Sequence, residues 1–296
     1  MKAAVLPDRG AVKVAGADPR TFLNGLLTTD VTKVAPGQAR FGALLTPQGK
    51  IVADCIVAEA PAEDGGGFFL DCPRALAGDL VQKLNFYKLR AKVVIEDLSE
   101  TLGVLAIWGG DAATEYGLCY PDPRLPALGL RCMLPPHLAG KAAADLGAEF
   151  VDASVYEAHR IALGVPRGGL DFIYGDAFPH ETDMDQLGGV DFDKGCFVGQ
   201  EVVSRIEHRG TARTRVVPVS FDGFAPEAGT PVSAGEKAVG TLGSSAQGRG
   251  LAMLRLDRAA DALAAGHPLT AGGIEMRLVK PAWAQFAWPG EAKAAQ

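Results

Sequence analysis

Two apolar runs, ARFGALL (39–45) and KIVADCIVAEA (50–60), flank the tetrapeptide TPQG, and this pairing constrains the fold more than any other stretch. Proline and glycine supply turn chemistry, so the runs fold back on each other as an antiparallel β-hairpin. Further strands follow at FFLDC (68–72) and KVVIEDL (92–98), with helical spacing of Leu76, Leu80, Val81 and Leu84 between them. Hairpins with crossing helices indicate an α+β fold, sheets with helices on one face, rather than a doubly wound parallel sheet. No G-x-G-x-x-G follows a strand and no Walker lysine loop occurs, which removes the common nucleotide-binding classes.

Punctuation residues place the remaining elements. Asp18-Pro19 reads as an N-cap and first helical residue, opening a short helix over 19–27 with Phe22, Leu23, Leu26 and Leu27 on one face. A small alanine-rich helix follows near 137–146, and Asp152 caps a helix over ASVYEAHRIAL that Gly164 and Pro166 stop. The polar connection 168–193 is too long for a plain linker, and long ordered loops carry function. From about 214, short β-like runs separated by glycine and proline predict a small all-β domain, barrel or sandwich.

At 296 residues and 48% apolar content, two or three ordinary globular domains are expected. The balance of 29 basic and 35 acidic residues, formally −6, argues against general polyanion binding, so no direct nucleic-acid role is expected. No apolar run reaches the roughly 18 residues of a membrane span and no signal peptide is evident, which gives the expectation of a cytoplasmic protein without a membrane role. The five cysteines are odd in number and form no C-x-x-C pair, so neither a disulfide framework nor a zinc ribbon is suggested; the five histidines lack the i, i+4 spacing of a helical metal site, and no metal is expected.

The stretch DKGCFVGQEVVSRIEHRG (193–210) concentrates the chemistry. Val202, Val203 and Ile206 predict a helix over 199–208 ended by Gly210, so Cys196 lies just ahead of a helix N-terminus, where amide N–H groups and the macrodipole favour an anion, and Lys194 adds positive charge. Gly195 and Gly199 permit close backbone approach. The plain alternative is a small buried hydrophobe, a common fate of free cysteine. The acids between 171 and 193, Glu181 among them, are solvated loop charges or acceptors for the donor edge of a heterocycle. Arg205, Arg209, Arg213 and Arg215 form either a solvated face or a receptor for a carboxylate or phosphate tail.

These residues, with FLNGLLTTDV, LLTPQGKIVAD, NFYKLRAKV, RIALGVP and FPHE, resemble the folate-binding YgfZ family, relatives of the glycine-cleavage aminomethyltransferase (T-protein, GcvT-like). The matches run from about 20 to 283, and Lys194, Gly195, Cys196, Phe197, Gly199, Gln200 and Glu201 all fit the K-G-C-[FY]-x-G-Q-[ET] signature. The resemblance implies an aminomethyltransferase-like three-domain arrangement around a central funnel for tetrahydrofolate: a discontinuous first domain (1–45 with 147–212), a second (46–146) and a small C-terminal β-barrel (213–290). It further implies assembly or repair of iron–sulfur clusters in client enzymes, tRNA-modifying ones included, with iron–sulfur client or carrier proteins as partners and Cys196 as the working thiol. The alternative is a folate-dependent aminomethyl or one-carbon transferase.

Carried over residue by residue, the resemblance implies Cys196, Lys194 and Asp54 as catalytic, and Tyr156, Glu181, Arg205, Gln200, Glu201, Gly195 and Gly199 as folate-binding. The aminomethyltransferase carries two adjacent acids, one catalytic, where this chain has Ala53 and Asp54. Adjacent strand residues point to opposite faces and do not substitute for one another. Ala162 stands where relatives often carry a pterin-reading glutamate, with Glu181 the expected replacement. Tyr156 stands in place of a tryptophan and offers its ring for stacking.

Overall fold

The computed structural model describes residues 1–110, 115–210 and 212–290, which form two compact units: 1–156 with 187–202, and 157–186 with 203–290. In the first unit the expected hairpin forms. Ala39–Leu45 and Ile51–Glu59 pair antiparallel with Phe41 opposite Ile56 and Ala43 opposite Asp54, and Gly49 turns the corner at φ +81°. The sheet continues through Phe68–Pro73, Arg9–Gly16 and Val93–Asp97, antiparallel throughout. The expected domain boundary between 45 and 46 thus falls inside a single hairpin.

Strand alternation gives this sheet two different faces. Val12, Val14, Ala53, Cys55, Val57, Leu70 and Cys72 face an apolar core shared with Leu80 and Leu84 of the Ala77–Lys88 helix. Each such leucine contributes about 1.5–3 kcal/mol by leaving water. The intervening positions, Asp54 and Asp71, belong to the other face. A second sheet, in the order Glu149–Phe150, Lys2–Val5, Gly103–Trp108, Leu130–Leu134, Leu118–Pro121, is antiparallel except at the parallel pairing of Lys2–Val5 with Glu149–Phe150.

In the second unit six strands close a barrel in the order Thr214–Phe221, Arg249–Arg255, Lys237–Ala246, Pro231–Ala234, Leu269–Ala271, Ile274–Leu278, with the last pairing back onto the first. Of the two expected all-β forms, the barrel is the one present. It also holds a helix, Leu256–Ala264, that strand signals alone did not anticipate; Leu256 and Ala259 bury its inner side. Arg160, on the Ala153–Ala162 helix, donates to Asp171 Oδ2 at 2.8 Å and to Ser244 Oγ at 2.8 Å, tying the 157–186 segment to the barrel.

Three local expectations are corrected. The first helix ends at Asn24, and the Asp18 carboxylate makes no cap; it accepts instead from the amide of Lys92 at 3.2 Å. Asp152 does accept from Ser154 N, at 2.8 Å. The cysteines, expected to be unpaired, include a Cys119–Cys132 disulfide across facing strands, because the register sets the two residues opposite each other with Cα atoms 4.1 Å apart. Among the described residues no helix is long and apolar enough to cross a membrane.

Candidate functional site

The segment around Cys196 is fastened by groups distant in sequence. The Lys194 ammonium is buried and donates to the carbonyls of Asn24 (2.7 Å), Leu27 (2.6 Å) and Thr29 (2.9 Å). A lysine has three donors, so these oxygens saturate it. Asn24 and Leu27 lie at the end of the Pro19–Asn24 helix, where a cation also meets the negative pole of the macrodipole. Burial pulls the lysine down to about 8, against the opposing pull of Asp30 and Asp191. The charge expected to assist Cys196 is therefore committed to main-chain oxygens; Lys194 positions the turn. The Asp191 amide adds a bond to Thr28 O at 2.9 Å, and its carboxylate accepts from Lys33 at 2.6 Å.

The two glycines of the signature differ. Gly199 has φ +82°, and a Cβ there would sit 2.6 Å from Thr46 O and 3.1 Å from Gly49 Cα, so it lets the hairpin turn touch the start of the Gln200–Arg209 helix. Gly195 has no such neighbour: nothing lies within 4 Å of the added carbon. Cys196 beside it is exposed. Gln200 opens the helix, its amide donating to Phe197 O at 3.2 Å, and Glu201 sits in the first turn, where the positive pole favours an acid. The motifs around 24–29, 46–49 and 194–200 thus converge on one exposed thiol.

A second centre in this unit was legible only in part. Asp71 receives Arg9 Nε at 2.6 Å and Arg131 NH1 at 2.6 Å; Arg131 also reaches Asp122 at 2.7 Å, and Arg124 forks onto Asp122 at 2.9 and 2.7 Å. Burial opposes ionisation of Asp71, but the guanidiniums of Arg9 and Arg131 outweigh it and hold the carboxyl below its ordinary range. Asp54 joins from the same sheet face, 3.6 Å from Arg9 NH1, and Tyr156 places its hydroxyl 3.5 Å from Arg131 NH2. The Tyr156 ring is itself buried, edge to face with Trp108 at 5.3 Å, so in this structure it packs in the core rather than offering an open stacking face. Ala53 packs in the apolar core behind Asp54. Asp71, Arg9, Arg131 and Asp122 went unread in the sequence. Their signal was an acid inside FFLDC and an arginine inside LRCML, charges in apolar strands, which survive burial only when paired.

In the second unit Glu181 belongs to the one-turn helix Pro179–Thr182, and its carboxylate accepts from Phe178 N at 2.8 Å. It lines a pocket of about 310 Å³ with His180, Ile206, Arg213 and Arg255. Arg205 and Arg209 are exposed on the Gln200–Arg209 helix. Arg215, expected with them in a basic cluster, is instead buried: it forks onto Asp185 at 2.9 and 2.8 Å and reaches Asp183 at 3.0 Å.

Comparison with known proteins follows from this geometry. The GCVT N-terminal domain model matches residues 8–115, and the CAF17 C-terminal beta-barrel domain model matches residues 213–286. The iron-sulfur cluster assembly factor IBA57 homolog of Mycosarcoma maydis is 36% identical over 233 residues, covering 74% of this chain and 57% of that protein. The mouse (Mus musculus) IBA57 factor is 29% identical over 320 residues, covering 97% and 86%. The chain is similar in sequence to the IBA57 assembly factors. It spans little more than half the length of the fungal relatives. The YgfZ resemblance is refined accordingly, since these relatives carry the IBA57 name. The crystal structure of glycine cleavage system aminomethyltransferase T from Bartonella henselae superposes with a TM-score of 0.75 at 16% identity, over 97% of this chain and 87% of that one, and establishes the shared GcvT-like fold. On this fold the thiol turn is fully formed, while Ala53 lies in the apolar core and Asp54 on the opposite sheet face near Arg9.

Proposed function

We propose that this chain serves the assembly or repair of iron–sulfur clusters in client enzymes, tRNA-modifying ones included, and that the Cys196 thiol is the group presented to the cluster or its carrier. The observation that carries this reading is the fate of the five cysteines. Burial pushes the Cys55 thiol up and that of Cys72 up to about 12; Cys119 and Cys132 are bonded to each other; Cys196 is exposed. A partner reaches one thiol without unfolding the chain. Lys194 and Gly199 hold that thiol's turn in place, and the kinship with IBA57 factors supports the process. Iron–sulfur client or carrier proteins are the proposed partners.

Tetrahydrofolate is the proposed ligand, on the strength of the GcvT-like fold, with Asp54, Gln200 and Glu201 of the first unit as candidate polar contacts. For the compartment we propose the cytoplasm, although the relatives' names carry the word mitochondrial; fractionation of tagged cells tests it. The functional test uses Cys196→Ser in a deletion strain. The variant should fold, resist iodoacetamide labelling and fail to restore iron–sulfur enzyme activity. Full complementation by the serine variant refutes the role of the thiol. Calorimetric titration with tetrahydrofolate tests the ligand separately, and absence of binding heat removes folate while leaving the cluster role standing.

A further inference from the structure

The second unit contains a side-chain group that the assembly reading does not use. A ring nitrogen of His180, an oxygen of Asp185 and an oxygen of Glu207 lie within 4.8 Å of one another, and His180 Nε2 stands 2.9 Å from Glu207. Ligand bonds of about 2.0–2.2 Å, set at the angles of a tetrahedral or octahedral ion, space neighbouring donor atoms by roughly 3.0–3.5 Å. From within 4.8 Å the donors must draw together to that spacing, and Glu207, exposed on its helix, is the side chain that can move to close it.

The surroundings are those of a built site. His180 is 2% exposed and held on the Pro179–Thr182 turn, whose main-chain oxygen at His180 accepts from Arg215 at 2.9 Å. The same guanidinium grips both oxygens of Asp185, which fixes that carboxylate's plane; Oδ2 also accepts from Gln186 Nε2 at 2.8 Å, and Oδ1 retains a further lone pair for a cation. Ion pairs between a histidine and one glutamate are common; a second carboxylate brought within 4.8 Å of the pair is what a cation requires.

We propose that His180, Asp185 and Glu207 form a binding site for a first-row divalent cation. One nitrogen and two oxygens suit Zn²⁺, Mn²⁺ or Fe²⁺. Three protein ligands leave a position open, and His180 also lines the pocket of about 310 Å³ that carries Arg213 and Arg255, where water or an anionic ligand completes the shell.

The test is a calorimetric titration of the chelator-treated protein with Zn²⁺, paired with Co²⁺ absorption spectra. One equivalent should bind, with d–d bands and no thiolate-to-cobalt charge-transfer band. His180→Gln and Glu207→Gln should each weaken binding at least about tenfold, because loss of a direct ligand costs no less than loss of an outer partner. Cys196→Ser should leave it unchanged. Glu207 is exposed, so its variant keeps the fold even if the His180 variant does not. Parental affinity in Glu207→Gln, a cobalt spectrum that vanishes with Cys196→Ser, or no stoichiometric binding overturns the proposal and leaves His180–Glu207 a plain ion pair.

Discussion

Gly199→Ala and Gly195→Ala make a matched pair, because the two positions look alike in the signature and differ in the structure. At 199 an alanine would have to hold φ +82°, which costs a side-chain-bearing residue about 1–2 kcal/mol. Its Cβ would also stand 2.6 Å from Thr46 O and 3.1 Å from Leu45 Cβ. The nearest of these is main chain in a sheet-anchored turn, so relief by side-chain rotation is unavailable and overpacking adds about 1–3 kcal/mol. The total is about 2–5 kcal/mol, which for a unit of this size lowers the melting temperature by roughly 4–20 °C. At 195 neither term applies, and the change should stay within about 0.5 kcal/mol. Urea unfolding followed by tryptophan fluorescence, with calorimetric melting as a second probe, measures both. A Gly199→Ala protein that melts with the parent, or a Gly195→Ala protein that loses as much, refutes the assignment of structural duty to Gly199 alone. If Gly195→Ala folds normally yet fails in complementation, the turn's exposed surface is what partners meet.

The buried arginine–aspartate network should be intolerant of deletion at its centre: Asp71→Ala strands Arg9 and Arg131 in the interior and should cost about 3–5 kcal/mol in urea unfolding, and a cost below about 1 kcal/mol would show that the guanidiniums find other partners. Lys194 gives a pH signature. Burial holds it at about 8 in the fold against an ordinary 10.5, so between those values the unfolded chain carries one proton more, and this lysine makes stability rise with pH from about 8 to 10.5. Lys194→Met should flatten that rise in urea midpoints taken across the window, and identical slopes for parent and variant would contradict the burial of the charge.

Alternation and turn residues, read from the chain alone, specified the hairpin at 39–59, the strand-rich texture after 214, the Asp152 cap and the helix stop at Gly210, whose φ is +56°. These signals are local: a period of two or 3.6 and a glycine with a special φ act within a few residues, so no tertiary knowledge is needed to see them. The signature around Cys196 was equally legible, because its residues are contiguous. Partners across sequence distance were not. Lys194 finds its three carbonyls 165 to 170 residues away, Arg9 meets Asp71 across 62 residues, and Arg215 meets Asp183 across 32. Periodicity says which face a residue occupies and nothing about what packs against that face. The pairing of Cys119 with Cys132 depends on strand register, and the capture of Asp18 by the Lys92 amide on a contact across 74 residues. Once the fold removes a charge from water, the search for a compensating partner is settled by whichever groups the sheets and turns bring within reach, and only the tertiary structure supplies that list.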